Sequence, residues 1–179
     1  CIGRCNVSDS RRGLCVIISG AQVYAQDEIL QDAAVMIKKE KIEAVVTSQI
    51  NTDSFAFTFP NNFHLLPGFI DVHVHGLAGC DVMDADIGSL ELMSKTLAEE
   101  GTTSFLATTM TSSIAHIEKT LSVIESYSSS AGATLLGVHL EGPFISKAYA
   151  GAQLAKHAIF PDVTLFNRWQ RMSGNRIQL

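Results

Sequence analysis

The stretch Pro67-Gly68-Phe69-Ile70-Asp71-Val72-His73-Val74-His75-Gly76 decides the fold. Pro67-Gly68 is turn chemistry, and Gly76 closes the run. Between them the side chains alternate, because a strand sends every second residue to the same face. Phe69, Asp71, His73 and His75 share one face, and Ile70, Val72 and Val74 share the other. The apolar face is expected to pack, and the opposite face ends in two imidazoles that a rigid strand can offer to one metal ion. Spacing alone does not separate a ligand pair from hydrogen-bonded strand histidines, although imidazole is the commonest metal-ligating side chain.

The pattern returns in TLLGVHLEGPF, residues 134–144. Leu135, Gly137, His139 and Glu141 are expected on a face opposite Leu136, Val138 and Leu140, and Gly142-Pro143 then breaks the strand. A carboxylate at a strand end is commonly just solvated. Here it shares with the histidine pair a position at the C-terminal end of an apolar strand, where α/β folds hold their chemistry. His73, His75 and Glu141 are therefore the candidate metal ligands.

Outward from these two runs the pattern is strand, helix, strand, which builds a βα-repeating layer. The loop LAGCDVMDAD (77–86) reads as an active-site rim rather than a packed element. Asp86 or Ser89 can cap a helix whose Leu90, Met93 and Leu97 form a stripe, and Gly101 suits a left-handed C-terminal cap. TTSFLATT (102–109) follows as a strand. A second helix from about Ser113 carries Ile114, Ile117, Leu121 and Ile124, and YSSSAGA (127–133) reads as a loop. Pro161-Asp162 opens a third helix with a core stripe of Leu165, Phe166, Trp169 and Met172. Strands are expected near 69–75, 103–109 and 135–141, with RIQL (176–179) opening a fourth. His64, His116 and His157 are left as structural or solvent residues.

Upstream, residues 15–60 differ in kind. LCVIISGA (14–21), QVYA (22–25) and DAAVMIKKEKIEAVV (32–46) read as short strands of a small β module, with Lys39-Glu40 at a hairpin tip. Residues 1–14 match no element.

Composition sets limits. With 179 residues, 46% hydrophobic and 17% charged, the chain can bury a sizeable core. A net charge of -5 leaves no basic surface for nucleic acid, and no window approaches the roughly 18 apolar residues of a membrane span. The chain is expected to be cytoplasmic, without a signal peptide. The cysteines, Cys1, Cys5, Cys15 and Cys80, do not make a disulfide framework. Cys80, five residues past His75, reads as a loop or buried thiol at the rim.

PGFIDVHVHG, GTTSFLATTMTSS (101–113), GVHLEGPFIS (137–146), AGAQ (150–153) and PDVTLFNRWQ (161–170) together resemble the N-acetylglucosamine-6-phosphate deacetylases of the amidohydrolase superfamily, from about residue 15 onward. His-x-His indicates the superfamily, and LEGPF followed by GAQ the narrower family. The resemblance implies a (β/α)₈ barrel with a small β-sandwich domain, and metal-dependent hydrolysis of the acetamide of N-acetylglucosamine 6-phosphate to glucosamine 6-phosphate and acetate. On it, 15–60 is the first part of the sandwich and 61–179 the N-terminal half of the barrel, a partial TIM barrel of the first three to four βα units. His73, His75 and Glu141 match metal ligands for one or two zinc or iron ions, while Ala152 and Gln153 match a loop that touches the sugar. A polar amide there can hydrogen-bond hydroxyls without demanding charge.

A complete barrel needs eight strands and about 250 residues. The chain is accordingly expected to be a fragment, inactive alone, with the family's acid/base aspartate beyond Leu179. The resemblance also implies a homodimer of the complete protein. Two alternatives stay open: another amidohydrolase, a cyclic amidase or dipeptidase, and a non-catalytic truncated product.

Overall fold

The computed structural model describes residues 15–39, 41–47, 55–128 and 131–179. Residues 1–14 with Cys1 and Cys5, Glu40 of the expected hairpin tip, and Ser129 and Ser130 of the serine-rich loop lie outside the described residues. The chain divides into two compact units, 1–67 and 68–179.

Among its described residues the first unit is all β, as its short β-branched runs favour. Its strands are β1 (Cys15–Ser19), β2 (Gln22–Tyr24), β3 (Ile29–Leu30), β4 (Ala34–Lys38), β5 (Lys41–Val46), β6 (Phe55–Thr58) and β7 (His64–Leu65). One sheet runs β5-β4-β1-β6, with β1 antiparallel to β4 and parallel to β6. A second runs β3-β2-β7. Val23, Ala33 and Val35, drawn from both sheets and the loop between them, form the unit's small core. Lys39 takes a positive φ of 49° at the turn between β4 and β5. Gln22 and Val23 pair in parallel with His64 and Leu65, so β7 belongs to this first unit. The Nδ1 atom of His64 lies 3.1 Å from the Tyr24 hydroxyl, a structural contact.

The second unit is mixed α/β. β8 (Phe69–Val74) leads into a two-residue hairpin, β9 (Gly76–Leu77) with β10 (Cys80–Asp81), then α1 (Ile87–Glu99), β11 (Thr102–Thr108), α2 (Ile114–Ser126), β12 (Thr134–His139) and α3 (Val163–Met172). β8 and β12 flank β11, all parallel, the arrangement that needs helical crossovers. Ile177 adds a parallel bridge to Val138, so RIQL does open a further pairing.

The helices start where their caps lie. Asp86 accepts from the Ser89 N–H, Ser113 from His116 and Asp162 from Leu165, each meeting one of the donors a helix N-terminus leaves orphaned. Gly101 follows α1 at φ 90°. Leu90, Met93, Leu97, Ile117, Leu121 and Ile124 are buried with Phe105, Val138 and Trp169 in one core. Ile114, the first residue of α2, is instead exposed, and Leu165, Phe166 and Met172 pack half-buried around Trp169.

Three expectations are corrected, two from simple alternation and one from loop composition. Of the face Ile70-Val72-Val74, only Val74 packs; Ile70 is 62% and Val72 52% exposed. The reason is that α1 lies against the hairpin and β11 rather than over the start of β8. On β12, Leu135 and Val138 point into the same core, because a register shift between Phe105 and Leu106 sets Leu135 opposite Phe105 but Gly137 opposite Leu106. The extra residue at a bulge resets the period of two. Residues 77–86 are not an open rim: Leu77, Cys80 and Met83 pack on the core, Val82 is fully buried, and Asp81 and Asp84 form a reciprocal capping box over a short 3₁₀ turn.

Candidate metal centre

His73 and His75 sit at the C-terminal end of β8, one on its last residues and one just past it, with Val74 between them anchored in the core. Glu141 follows the end of β12, beside Leu140, which packs on the same core. Two parallel strands flanking a third thus bring together candidate ligands, His75 and Glu141, that are 66 residues apart in sequence.

The three side chains converge. Glu141 Oε2 lies 3.1 Å from His73 Nε2 and 2.9 Å from His75 Nε2, and the two imidazole nitrogens are 3.1 Å apart. Among the described residues they form the group able to hold a metal ion. A local contact fixes one of the three donors, and burial isolates another. His75 Nδ1 lies 3.2 Å from the Thr108 carbonyl, which can only accept, so Nδ1 carries the proton and Nε2 presents a lone pair to the centre. A ring nitrogen held this way is how metal-binding histidines are commonly oriented. Glu141 Oε2 is buried and receives no N–H or O–H among the described residues. Three lone-pair atoms facing one another at about this spacing repel unless a proton or a cation is shared between them. The donor set therefore fits a divalent ion, and two imidazoles with one carboxylate suit zinc or ferrous iron better than magnesium or calcium.

Neighbouring strands buttress the site. The Val74 N–H donates to Thr108 Oγ1 at 3.0 Å, and the Thr109 N–H donates to the His139 carbonyl at 3.0 Å. Gly142 has φ 78°, and an added Cβ would fall on Thr111 Oγ1, so the chain after Glu141 can turn this tightly only with glycine.

Of the residues expected at the sugar, Gln153 is partly buried and spends its amide on the protein. Its Oε1 accepts from the Thr111 N–H at 2.7 Å, and its Nε2 lies 3.4 Å from Met110 Sδ. Ala152 is exposed. His116 is structural as expected: its ring bridges Ser112 Oγ and the Met83 carbonyl. His139 enters the site's surroundings without having been singled out. Its ring meets that of His73 edge-on, 4.8 Å between centroids, and its Nδ1 lies 3.1 Å from the Val72 carbonyl. The signal was present in His139-x-Glu141, the same two-residue spacing as His73-x-His75.

Comparison with known proteins places these features in a family. The model of the Amidohydrolase family matches residues 64–171. N-acetylglucosamine-6-phosphate deacetylase of Bacillus subtilis is 40% identical over 170 residues, 92% of this chain and 43% of that protein. The enzyme of the same name from Vibrio furnissii is 46% identical over 115 residues, 63% of this chain and 29% of that protein. The chain thus spans less than half the length of these curated relatives. Among solved structures, the deacetylase of Pasteurella multocida superposes with a TM-score of 0.82 at 23% identity, covering 92% of this chain and 43% of that one, a likeness of fold. That of Thermotoga maritima gives 0.66 at 29% identity, covering 84% and 39%. With the family model spanning more than half of its length and a histidine pair and glutamate converging at the ends of its parallel strands, the chain belongs to the amidohydrolase family.

Proposed function

We propose that this chain supplies the metal-binding part of an N-acetylglucosamine-6-phosphate deacetylase, which cleaves the acetamide of its substrate to glucosamine 6-phosphate and acetate. The observation that carries the reading is the convergence of His73, His75 and Glu141 within about hydrogen-bond distance at the C-terminal ends of parallel strands. The names of the relatives at 40% and 46% identity support the choice of substrate.

His73 Nε2, His75 Nε2 and Glu141 Oε2 would hold zinc or iron, one or two ions. Such an ion supplies the Lewis acidity that activates water and polarises an amide carbonyl. The chain's own residues do the orienting: Thr108 fixes the proton of His75 on Nδ1, Val74 and Leu140 anchor the ligand-bearing backbone in the core, and the burial of Glu141 Oε2 keeps solvent from competing for it. Ala152 and Gln153 are assigned to the sugar side, where Gln153 can trade its contact with Met110 for a hydroxyl. In the same reading residues 15–60 are the first part of a β-sandwich, 61–179 the first half of a (β/α)₈ barrel, and the complete protein a cytoplasmic homodimer. No helix among the described residues is long and apolar enough to cross a membrane.

The test is acetate release from N-acetylglucosamine 6-phosphate by the complete protein of which this chain is read as a part, reconstituted with zinc or iron, beside a panel of cyclic amides and dipeptides. Turnover of the amino-sugar phosphate that is abolished by His75→Ala and Glu141→Ala is expected. Turnover confined to the cyclic amides or dipeptides would overturn the assignment of substrate.

A further inference from the structure

The backbone at His73 is irregular in a way that involves two further side chains. Against β11, Asp71 stands opposite Phe105 and Val74 opposite Ala107, so three steps of β8 span two of its neighbour and the Val72–His73 peptide lies inside a bulge. Both polar groups of that one peptide meet side chains. The His73 N–H donates to Asp71 Oδ1 at 2.9 Å, and the Val72 carbonyl accepts from His139 Nδ1, 3.1 Å away, a side chain arriving from β12, on the other side of β11. The His139 ring also abuts the His73 ring at 72°. Bulges re-aim the side chains they carry, and the residue carried here is a metal-ligand candidate.

We propose that Asp71 and His139 are positioning residues for His73: together they hold the Val72–His73 peptide and so set where the His73 imidazole meets His75 and Glu141. The inference rests on the metal-centre reading given above. His139 is not itself a ligand in this arrangement, since it stands outside the converging group of His73, His75 and Glu141. The chemistry constrains what can replace each residue. Position 139 needs an N–H donor at the place of Nδ1, which asparagine provides and alanine does not. Position 71 needs an acceptor at the place of Oδ1, which asparagine again provides.

The experiment measures zinc affinity by competition with a chromophoric chelator, and the visible spectrum of the cobalt-substituted protein, for the wild type and for Asp71→Ala, Asp71→Asn, His139→Ala and His139→Asn. Loss of an orienting partner of a ligand typically lowers metal affinity about 10- to 100-fold. That loss, with a changed cobalt spectrum, is expected for both alanine variants, and both asparagine variants are expected to stay within about threefold of wild type, well inside that range. Alanine variants that bind zinc as the wild type does would overturn the proposal. So would His139→Asn behaving like His139→Ala, which would make His139 a ligand. Should an alanine variant fail to fold, hydrogen exchange of the metal-free wild type decides: the His73 amide is expected to be protected, and exchange at an unprotected rate would overturn the clamp. Absence of zinc binding by the wild type would overturn the metal-centre reading together with this one, whereas zinc binding indifferent to Asp71 and His139 would sink the positioning claim alone.

Discussion

Replacing Gly142 by alanine tests how tightly the backbone is forced to turn after Glu141. Gly142 has φ 78°, and the new Cβ would fall on Thr111 Oγ1 while lying 3.1 Å from Thr111 Cβ and 3.4 Å from its Cα. Thr111 cannot swing away: it is 1% exposed, and its N–H is held by Gln153 Oε1. The left-handed backbone costs an alanine about 1–2 kcal/mol, and forcing a methyl into a filled site costs about 1–3 kcal/mol more. Gly142→Ala should therefore destabilise by about 2–5 kcal/mol in total. Thr111→Ala removes the hydroxyl, which has no hydrogen-bond partner among the described residues and so carries little penalty when lost. In that background Gly142→Ala should cost only the backbone term, leaving a coupling of about 1–3 kcal/mol between the two positions. Urea unfolding of the metal-free protein measures this as a shift in midpoint at constant slope. Because Glu141 is the preceding residue, the single variant should also bind zinc more weakly and Thr111→Ala should restore part of that loss. A Gly142→Ala protein within about 0.5 kcal/mol of wild type, the range of a neutral surface change, would refute the reasoning.

Other outcomes follow from the same contacts. Glu118 accepts from the buried Trp169 indole at 3.0 Å and also pairs with Arg168. Glu118→Ala should cost about 1–3 kcal/mol by orphaning the indole N–H, while Glu118→Gln, which keeps an acceptor, should cost less than about 1 kcal/mol; thermal unfolding separates them, and equal losses would contradict the hydrogen bond. Thr108→Val keeps the volume but removes the acceptor for the Val74 N–H, so a loss of about 1–3 kcal/mol is expected in urea unfolding. Phe105 is fully buried at the centre of β11, and Phe105→Ala should cost about 3–5 kcal/mol, measured by the same unfolding curves. Arg176 donates to the Ile124 and Leu135 carbonyls, so Arg176→Met, which keeps the aliphatic stem, should raise hydrogen exchange at the C-terminal end of α2 without altering zinc affinity.

What the chain order disclosed and what it hid have physical reasons. Caps at Asp86, Ser113 and Asp162 are local, one side chain bonding a backbone N–H three residues on, and they were legible from sequence. The parallel strands were legible because their apolar runs are bounded by Gly and Pro. The faces of those strands were only partly so: the bulges opposite Phe105–Ala107 and at Leu135–Gly137 depend on pairing with β11, and no single strand records its partner's register. Burial of Ile70 and Val72 failed for a related reason, since it needs an element packed on them, not a pattern within them. Residues 77–86 looked like a polar rim because Asp81 and Asp84 are acidic, yet both side chains serve as caps on backbone N–H groups. At the site, the convergence of His73, His75 and Glu141 was legible from two short motifs. His139 was overlooked because its partner, the Val72 carbonyl, lies 67 residues earlier and is brought near only by the fold.

X-ray absorption at the zinc edge, recorded on the zinc-loaded protein and on His73→Ala, His75→Ala and Glu141→Ala, bears most directly on the centre. The expected result is a shell of nitrogen and oxygen alone, with imidazole scattering that weakens in each histidine variant and persists in Glu141→Ala, where affinity nonetheless falls. A sulfur shell from Cys15 or Cys80, or a zinc environment unchanged in all three variants, would contradict a metal held by these two imidazoles and this carboxylate.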